Sequence, residues 1–553
     1  MRLVIKDYLL QLKEKDELDL LLCDLLFQMG YITDNRPKTG NRQYGVDIRA
    51  YNDNEILLTV VKQGNLNRKN WDADQNAVRQ SLNDIQDTYI DFINGKNRKK
   101  ELHVIVATNG VIDEAVRPSW EGYVKHNTTW SGMKVQIEFW NIDKLVDDVQ
   151  KYLFDEHIFG AEMQSLLRKA LYFIDESDYR NEYFECIIDD YLLRLKSMDT
   201  PKERRKKLSG LHLACQMIAQ YAAKAGIYKI GIMVSEYLII KYWKYMLEDN
   251  KLGKSSDVEW LHKFLAIYEK WNQKYYEAVR YCCEGEDRIP FYNPIEQRLL
   301  VYEVLGYLIS YAYYLSFRGE YDRMVAGRCC EVHESIINLI NNHAQFAYAP
   351  YDRHIGIVSM LYRLLDRLER TEDIYGLMRY QCTRLAYYYL MYHKYPTAAD
   401  SIEDAIDIDM GALVEDYQTS AFWGTMLEWM VLMDQSELYQ FLQSFLKDDL
   451  KNVTKCVWFI RSEEESKFYD IYAMNQAGEG IALQLEKTFD KFKEKVMFIM
   501  KQYEKEQFSF DEYSFEALEF IVCRYYGYLV RVKREEQRYL GEEPYPQIPP
   551  NGK

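Results

Sequence analysis

The chain has no CxxC spacing among its ten cysteines. Two adjacent pairs, Cys282-Cys283 and Cys329-Cys330, fall in helical patterns, so the cysteines read as buried thiols of a reducing cytoplasm. No run approaches the roughly 18 uninterrupted apolar residues of a membrane helix. The opening MRLVIKDYLLQLKEKDELD scatters charge through its apolar residues and offers no small-residue cleavage site, so no secretion signal and no membrane partner are expected. The phosphate loop GxxxxGK[ST] and the dinucleotide fingerprint GxGxxG are both missing, which argues against ATP or GTP hydrolysis. Nine histidines lack metal-ligand spacing: His333-Glu334 has no second histidine of a zincin helix. Neither a serine elbow nor a cysteine nucleophile can be argued. Positive charge is in short supply too. With 70 Lys and Arg against 86 Asp and Glu the formal net charge is -16, which speaks against a protein coated by nucleic acid or lying on a membrane, though not against a small basic site.

Proline is scarce where the chain is longest. Between Trp120 and Gly541 there are only Pro201, Pro290, Pro294, Pro350 and Pro396, each near a plausible helix boundary. Segments such as EYLIIKYWKYMLEDN and RLLVYEVLGYLISYAYYLSF are helical and aromatic, which predicts paired helices stacked into an α-solenoid, although no strict repeat period is present. At 553 residues two or more domains are expected. The expected fold class is α+β multi-domain: an α/β domain with a mixed sheet over 1–155, an all-α helical-repeat domain over 156–540, and an extended proline-rich tail over 541–553.

What is present in the first 155 residues alternates between helical and strand patterns. Leu18, Leu21, Leu22, Leu25, Leu26 and Met29 recur at helical spacing and stop at Gly30, an amphipathic helix with a glycine cap. YGVDIRAYNDNEILLTVVKQGN, from Tyr44, reads as a hairpin turning at Asn52-Asp53-Asn54. A polar amphipathic segment from Trp71 to Asn94 follows, then strands from Glu101 (ELHVIVATNG) and Lys134 (KVQIEFWNI). On the second hairpin arm Ile56, Leu58, Val60 and Lys62 share one face by alternation. Lysine is rarely buried alone, and Asp47 on the neighbouring arm is its expected partner.

These motifs, in order, resemble the Mrr-like branch of the restriction-endonuclease fold, the PD-(D/E)xK nucleases. A leucine helix carrying Asp19 runs to Gly30-Tyr31; Gly45-Val46-Asp47-Ile48 and Val60-Val61-Lys62-Gln63 follow. Ile105 to Gly110 and the segment from Ile137 resemble the family's later strands. The resemblance implies a Mg²⁺- or Mn²⁺-dependent endonuclease cleaving DNA. Asp47 would be the principal metal ligand, with Asp19 and the main-chain oxygen of Val61, because carboxylates supply the hard oxygens that hold Mg²⁺. Lys62 would orient the attacking water and offset phosphate charge. Arg36, Lys38, Arg42 and Gln63 would touch the nucleic acid. Glu17 and Glu55 are fallback acids. The chain departs from the family at Val60, where an acid or glutamine is usual. A nuclease joined to a helical region and lacking a motor resembles bacterial anti-phage effectors, which implies a protein partner or phage-derived trigger and a homo-oligomer.

The same residues support plainer readings. Asp47 and Lys62 also fit a cross-strand ion pair, and Asp19 a helix N-terminal acid. The basic runs Lys96 to Lys100 and Arg204 to Lys207 fit solvated faces as well as phosphate contacts. The 48 tyrosines fit helix packing better than base stacking.

Overall fold

The computed structural model describes residues 2–35, 44–74, 77–93, 95–153, 161–174, 181–196, 200–285, 288–289, 294–319, 322–343, 346, 355–392, 419–474, 477–503 and 506–528. The proline-rich tail 541–553 and the basic loop carrying Arg36, Lys38 and Arg42 lie outside the described residues. The chain divides into two compact units, Met1–Val234 and Ser235–Lys553.

The first unit opens with α1 (Arg2–Leu9), a kinked turn Glu14–Leu18 and α2 (Asp19–Gln28). The leucines drive α2: Leu21, Leu22, Leu25 and Leu26 are buried, and Gly30 (φ +94) ends the segment. Six strands follow, β1 (Ile32–Asn35), β2 (Ile48–Tyr51), β3 (Glu55–Lys62), β4 (Glu101–Thr108), β5 (Thr129–Trp130) and β6 (Met133–Trp140), in spatial order β1-β2-β3-β4-β6-β5. The hairpin closes as its sequence predicts. Ile48 lies opposite Thr59 and Tyr51 opposite Ile56, and the Asn52 side chain accepts from the N–H groups of Asn54 and Glu55, both at 2.8 Å.

β3, β4 and β6 run parallel because helices carry the chain back between them: α3 (Val78–Asp87) after β3 and α4 (Arg117–His126) after β4. Ile56, Leu58, Val60, Leu102, Val104, Val106, Val135 and Ile137 point to this side, where they bury against Val78, Leu82, Ile85 and Trp120. The other face meets α2 along β1 and β2, and α5 (Ile142–Tyr152) along β6. With both faces covered, β3 reads as a continuous apolar run rather than an alternating one. The result is a mixed sheet, as the pattern of elements predicts, with six strands in place of the four read from the sequence. β1 and β5 are additional edge strands, too short to announce themselves.

Helices α6 (Ala161–Tyr172), α7 (Glu182–Lys196) and α8 (Pro201–Lys224) belong to this first unit as well, so the boundary expected at 155 falls inside it. The reason is packing: α8 lies against α1. The basic run is used there. Arg205 pairs with Asp7 at 3.5 Å, Lys206 pairs with Glu17, and the Ser209 hydroxyl donates to Asp7 at 3.1 Å.

The second unit is mostly helical. Its α10 (Pro294–Gly319), apolar on all sides, is contacted by α9 (Ser255–Val279), α11 (Arg323–Asn342), α12 (Ile355–Arg367) and a late helix, Ala517–Tyr526. Contacts reaching so far along the chain differ from the neighbour-only stacking of a solenoid, and a helix apolar all round is what such a centre requires. By length and composition the stretch Glu296–Arg318 could cross a membrane, but 78% of its most apolar window is buried within the protein. The all-α expectation is corrected by a three-stranded sheet of Thr419–Ser420, Thr454–Phe459 and Glu479–Ala482. TKCVWF alternates buried and less buried residues, the strand period that surrounding helices obscured. The ten cysteines are unbridged. Cys186 and Cys330 are exposed rather than buried.

Candidate active site

Asp47 stands immediately before β2 and is held to β3 by its own main chain and side chain. Its N–H donates to the Thr59 carbonyl at 2.9 Å, and its carboxylate accepts from the Val61 N–H at 2.8 Å. A strand residue sends its N–H and C=O to the same edge. The Val61 carbonyl therefore faces the side occupied by Asp47.

Two glycines allow this geometry. Gly45 adopts φ +81, and a Cβ there would sit 2.2 Å from the Ser81 carbonyl of α3. Only glycine lets the chain pass so close in that conformation. At the end of β4, a Cβ on Gly110 would meet the Gly64 backbone at 2.3 Å, so the loops following β3 and β4 are pressed together.

Lys62 is the last residue of β3, with 15% of its side chain exposed, and its ammonium lies 3.3 Å from the Glu14 carboxylate. Glu14 comes from the turn before α2. That turn bends at Asp16, which holds the left-handed conformation φ 65, ψ 5. Asp19, at the start of α2, is 5% exposed and takes the Leu20 N–H at 2.8 Å.

The charges act on one another. Burial raises the Asp47 carboxyl above the usual aspartate value; the Val61 N–H and the Lys62 ammonium pull it down, while Glu14 and Asp19 push it up. Burial likewise raises Asp19, against the main-chain N–H groups that bond it. Glu14, Asp19, Asp47 and Lys62 thus form one electrostatic cluster at the C-terminal end of β3, half open to solvent at Asp47, Lys62 and Glu14. Three carboxylates against one ammonium leave an excess of negative charge. Oxygen donors of this kind suit a hard divalent cation, but the carboxylates of Asp47, Asp19 and Glu14 do not all lie within 4.8 Å of one another, so they would have to draw closer to hold Mg²⁺ or Mn²⁺ together with the Val61 carbonyl.

Of the residues expected from the sequence, Asp47 touches Val61 and is within electrostatic reach of Lys62 and Asp19, but the expected Asp47–Lys62 ion pair is replaced by one between Lys62 and Glu14, because the turn before α2 brings Glu14 to the ammonium. Gln63 follows directly and is partly buried. Glu17 turns away to Lys206 and to the Lys13 N–H at 2.6 Å. Glu55 begins β3 at the far end of an eight-residue strand, about 23 Å from Lys62. It accepts from the Tyr31 hydroxyl at 2.6 Å and takes no part in the notch. Val60 is 1% exposed within the core beneath α3.

Sequence reasoning missed Glu14. The acid-rich EKDELD was its only signal, and which acid turns inward depends on the bend at Asp16. It also missed Asn109. This side chain, 1% exposed, donates to the carbonyls of Leu9 (2.9 Å) and Leu12 (3.0 Å) and accepts from the Gly64 N–H at 2.7 Å. One amide ties the end of α1, and so the approach to Glu14, to the loop that follows Lys62. Comparison with protein-family models, with curated proteins and with solved structures gave no match.

Proposed function

We propose that the first unit is a metal-dependent endonuclease of the restriction-endonuclease kind, cleaving DNA phosphodiester bonds at the Asp47–Lys62 notch. One observation carries this reading: Asp47, Asp19, Glu14 and Lys62, drawn from a hairpin, a helix and a turn, converge in one half-open electrostatic cluster. A silent ion pair needs one acid, whereas here Lys62 pairs with Glu14 while its charge also acts on Asp47, on which Asp19 acts in turn.

When bound, the divalent ion supplies an activated water and neutralises charge on the phosphate. The protein's own groups do the positioning. Asp47 is fixed by the Val61 N–H, which leaves its second oxygen for a ligand. Lys62 offers a compact ammonium to the water or to a non-bridging phosphate oxygen. Glu14 would supply the additional carboxylate that Val60 cannot. The helical unit would hold this activity in check until a trigger arrives, as expected of an anti-phage effector, and paired cuts would need two copies. The test is purified full-length protein incubated with plasmid, linear DNA and RNA over Mg²⁺ and Mn²⁺, beside Lys62→Ala. Divalent-dependent DNA cleavage lost in the variant supports the reading; equal products from both proteins remove it.

A second reading, a nuclease-shaped scaffold that binds nucleic acid or a partner without cutting, is favoured by Val60, whose side chain is sealed in the core and offers no ligand. DNA binding by gel shift, with no cleavage under any metal, would select it.

A further inference from the structure

The end of the sheet remote from the notch carries a second cluster. Glu55, Glu101 and His103 each direct one donor atom into a space where all three lie within 4.8 Å of one another. They come from facing positions of two parallel strands: Glu55 lies opposite Glu101, and Leu57 opposite His103.

The tautomer of His103 is set by its surroundings. Its Nδ1 lies 3.3 Å from Glu138 Oε1, and a carboxylate can only accept, so Nδ1 carries the proton. Glu138 is itself held by the Trp140 indole N–H, 3.0 Å from its other oxygen. The His103 Nε2 is left with a lone pair. That nitrogen is buried and has no hydrogen-bond partner among the described residues, and Glu101 lies 4.0 Å from it. A lone pair buried without a donor is costly in a protein interior. Carboxylate to Nδ1–H with Nε2 left open is the arrangement by which proteins orient a metal-binding imidazole. Glu55 has its own orienting partner, since the Tyr31 hydroxyl donates to Oε2 and leaves Oε1 for a ligand.

We propose that Glu55, Glu101 and His103 form a binding site for a first-row divalent cation of the Zn²⁺ type, with Glu138 and Tyr31 as positioning residues. One imidazole nitrogen with two carboxylate oxygens is a donor set that suits Zn²⁺ and disfavours Mg²⁺. Donors about 2.0–2.1 Å from a tetrahedral ion stand roughly 3.4 Å apart. The donors, within 4.8 Å of one another, therefore have to close by up to about 1.4 Å, and Glu101, with a 66% exposed side chain, is free to move. Such an ion ties the starts of β3 and β4 to each other and, through Glu138, to β6. It is separate from the hydrolytic notch, about 23 Å away along β3.

The experiment uses the full chain, stripped with chelator and titrated with Zn²⁺ alone, read by calorimetry and by thermal melting. One ion bound at micromolar affinity or tighter is expected, with a rise in Tm. Glu138→Gln keeps all three donors but releases the tautomer, and should weaken binding by about 10- to 100-fold. His103→Ala should weaken it further, and Asp47→Asn should leave it unchanged. If His103→Ala does not fold, the exposed Glu101→Gln takes its place, with a loss of at least about tenfold expected. Unchanged affinity in Glu101→Gln, or a wild type that binds Zn²⁺ only at millimolar concentration, overturns the proposal. Loss of binding in Asp47→Asn with retention in Glu101→Gln would assign the ion to the notch instead.

Discussion

The Lys62 ammonium lies 3.3 Å from the Glu14 carboxylate across 48 residues of sequence. A lysine that served only to offset Asp47 would not require this second acid. Glu14→Gln keeps the side-chain shape and removes the charge, so it should lower divalent-dependent DNA cleavage by about 10²-fold or more. Far-ultraviolet circular dichroism should be unchanged. Lys62→Ala and Asp47→Ala should abolish cleavage. Plasmid nicking, followed on gels, measures all three, and full activity in Glu14→Gln would show that Glu14 is only a counter-ion.

Legibility in the sequence tracked how local each feature is. The hairpin, its turn at Asn52 and the placement of Asp47 beside the end of β3 follow from alternation and turn chemistry, both short-range, and all three are observed. Asp19 was readable as a polar break in a leucine helix. Glu14 was not, because its direction depends on one left-handed residue, Asp16. Asn109 joins the end of α1 to the loop after β3, a link no pattern along the chain encodes. Glu55 showed the reverse error: chemically suitable and close in sequence, it stands at the wrong end of the strand.

Burial and neighbouring carboxylates hold Asp47 and Asp19 above their usual values, which fixes the sign of a pH effect. A raised folded-state value means that the native protein takes up these protons more readily than the unfolded chain. Their contribution to stability is present below the unfolded value and lost as pH rises through the folded one. At neutral pH both carboxylates therefore cost stability. Asp47→Asn should raise Tm at pH 7 while ending cleavage, by an amount on the order of 1 kcal/mol. The gain should shrink as pH falls toward 4. Differential scanning calorimetry at the two pH values reads this, and a lowered Tm at pH 7 would contradict the sign.

Gly45 has no tolerable replacement with a side chain. Its φ of +81 disfavours any Cβ, and the nearest atom, the Ser81 carbonyl oxygen, would lie 2.2 Å away on backbone that cannot yield without moving α3. Gly45→Ala should destabilise the protein by about 2 kcal/mol or more, and cleavage should fall with it, because Asp47 is two residues on. Gly30→Ala is the control: its φ is +94, yet nothing lies within 4 Å. It carries the conformational penalty alone and should cost less in a urea melt.

Asn109 makes three hydrogen bonds from a buried position, and its removal takes the side-chain donor from the Leu12 carbonyl and the acceptor from the Gly64 N–H, while the Leu9 carbonyl keeps the Leu12 N–H at 3.2 Å. At about 1–3 kcal/mol for each group deprived of its partner, Asn109→Ala should rank among the more damaging single changes in the first unit. Asn109→Asp is the informative companion. It can still accept from the Gly64 N–H but offers no donor to the carbonyls of Leu9 and Leu12. It should release the approach to Glu14 while holding the loop after Lys62. Faster hydrogen exchange confined to residues 9–18 in that variant is the expected outcome.

In the second unit Arg524 reaches Glu236, and both side chains are buried, 11% and 0% exposed. Removing either partner strands the other charge, a loss on the order of 3–5 kcal/mol, but the two losses are not symmetrical. Burial raises the Glu236 carboxyl from 4.5 to about 7 even with Arg524 beside it. Without the arginine this carboxyl can take up a proton and become neutral. A guanidinium has no such escape. Glu236→Leu should therefore lower the urea midpoint more than Arg524→Met, with the gap already present at pH 5.5, where the stranded Glu236 of the second variant is protonated. Losing Arg524 also removes the influence that lowers this carboxyl, so the protection should persist through neutral pH. Equal midpoints at pH 5.5 would mean that Arg524 finds another acceptor once Glu236 is gone.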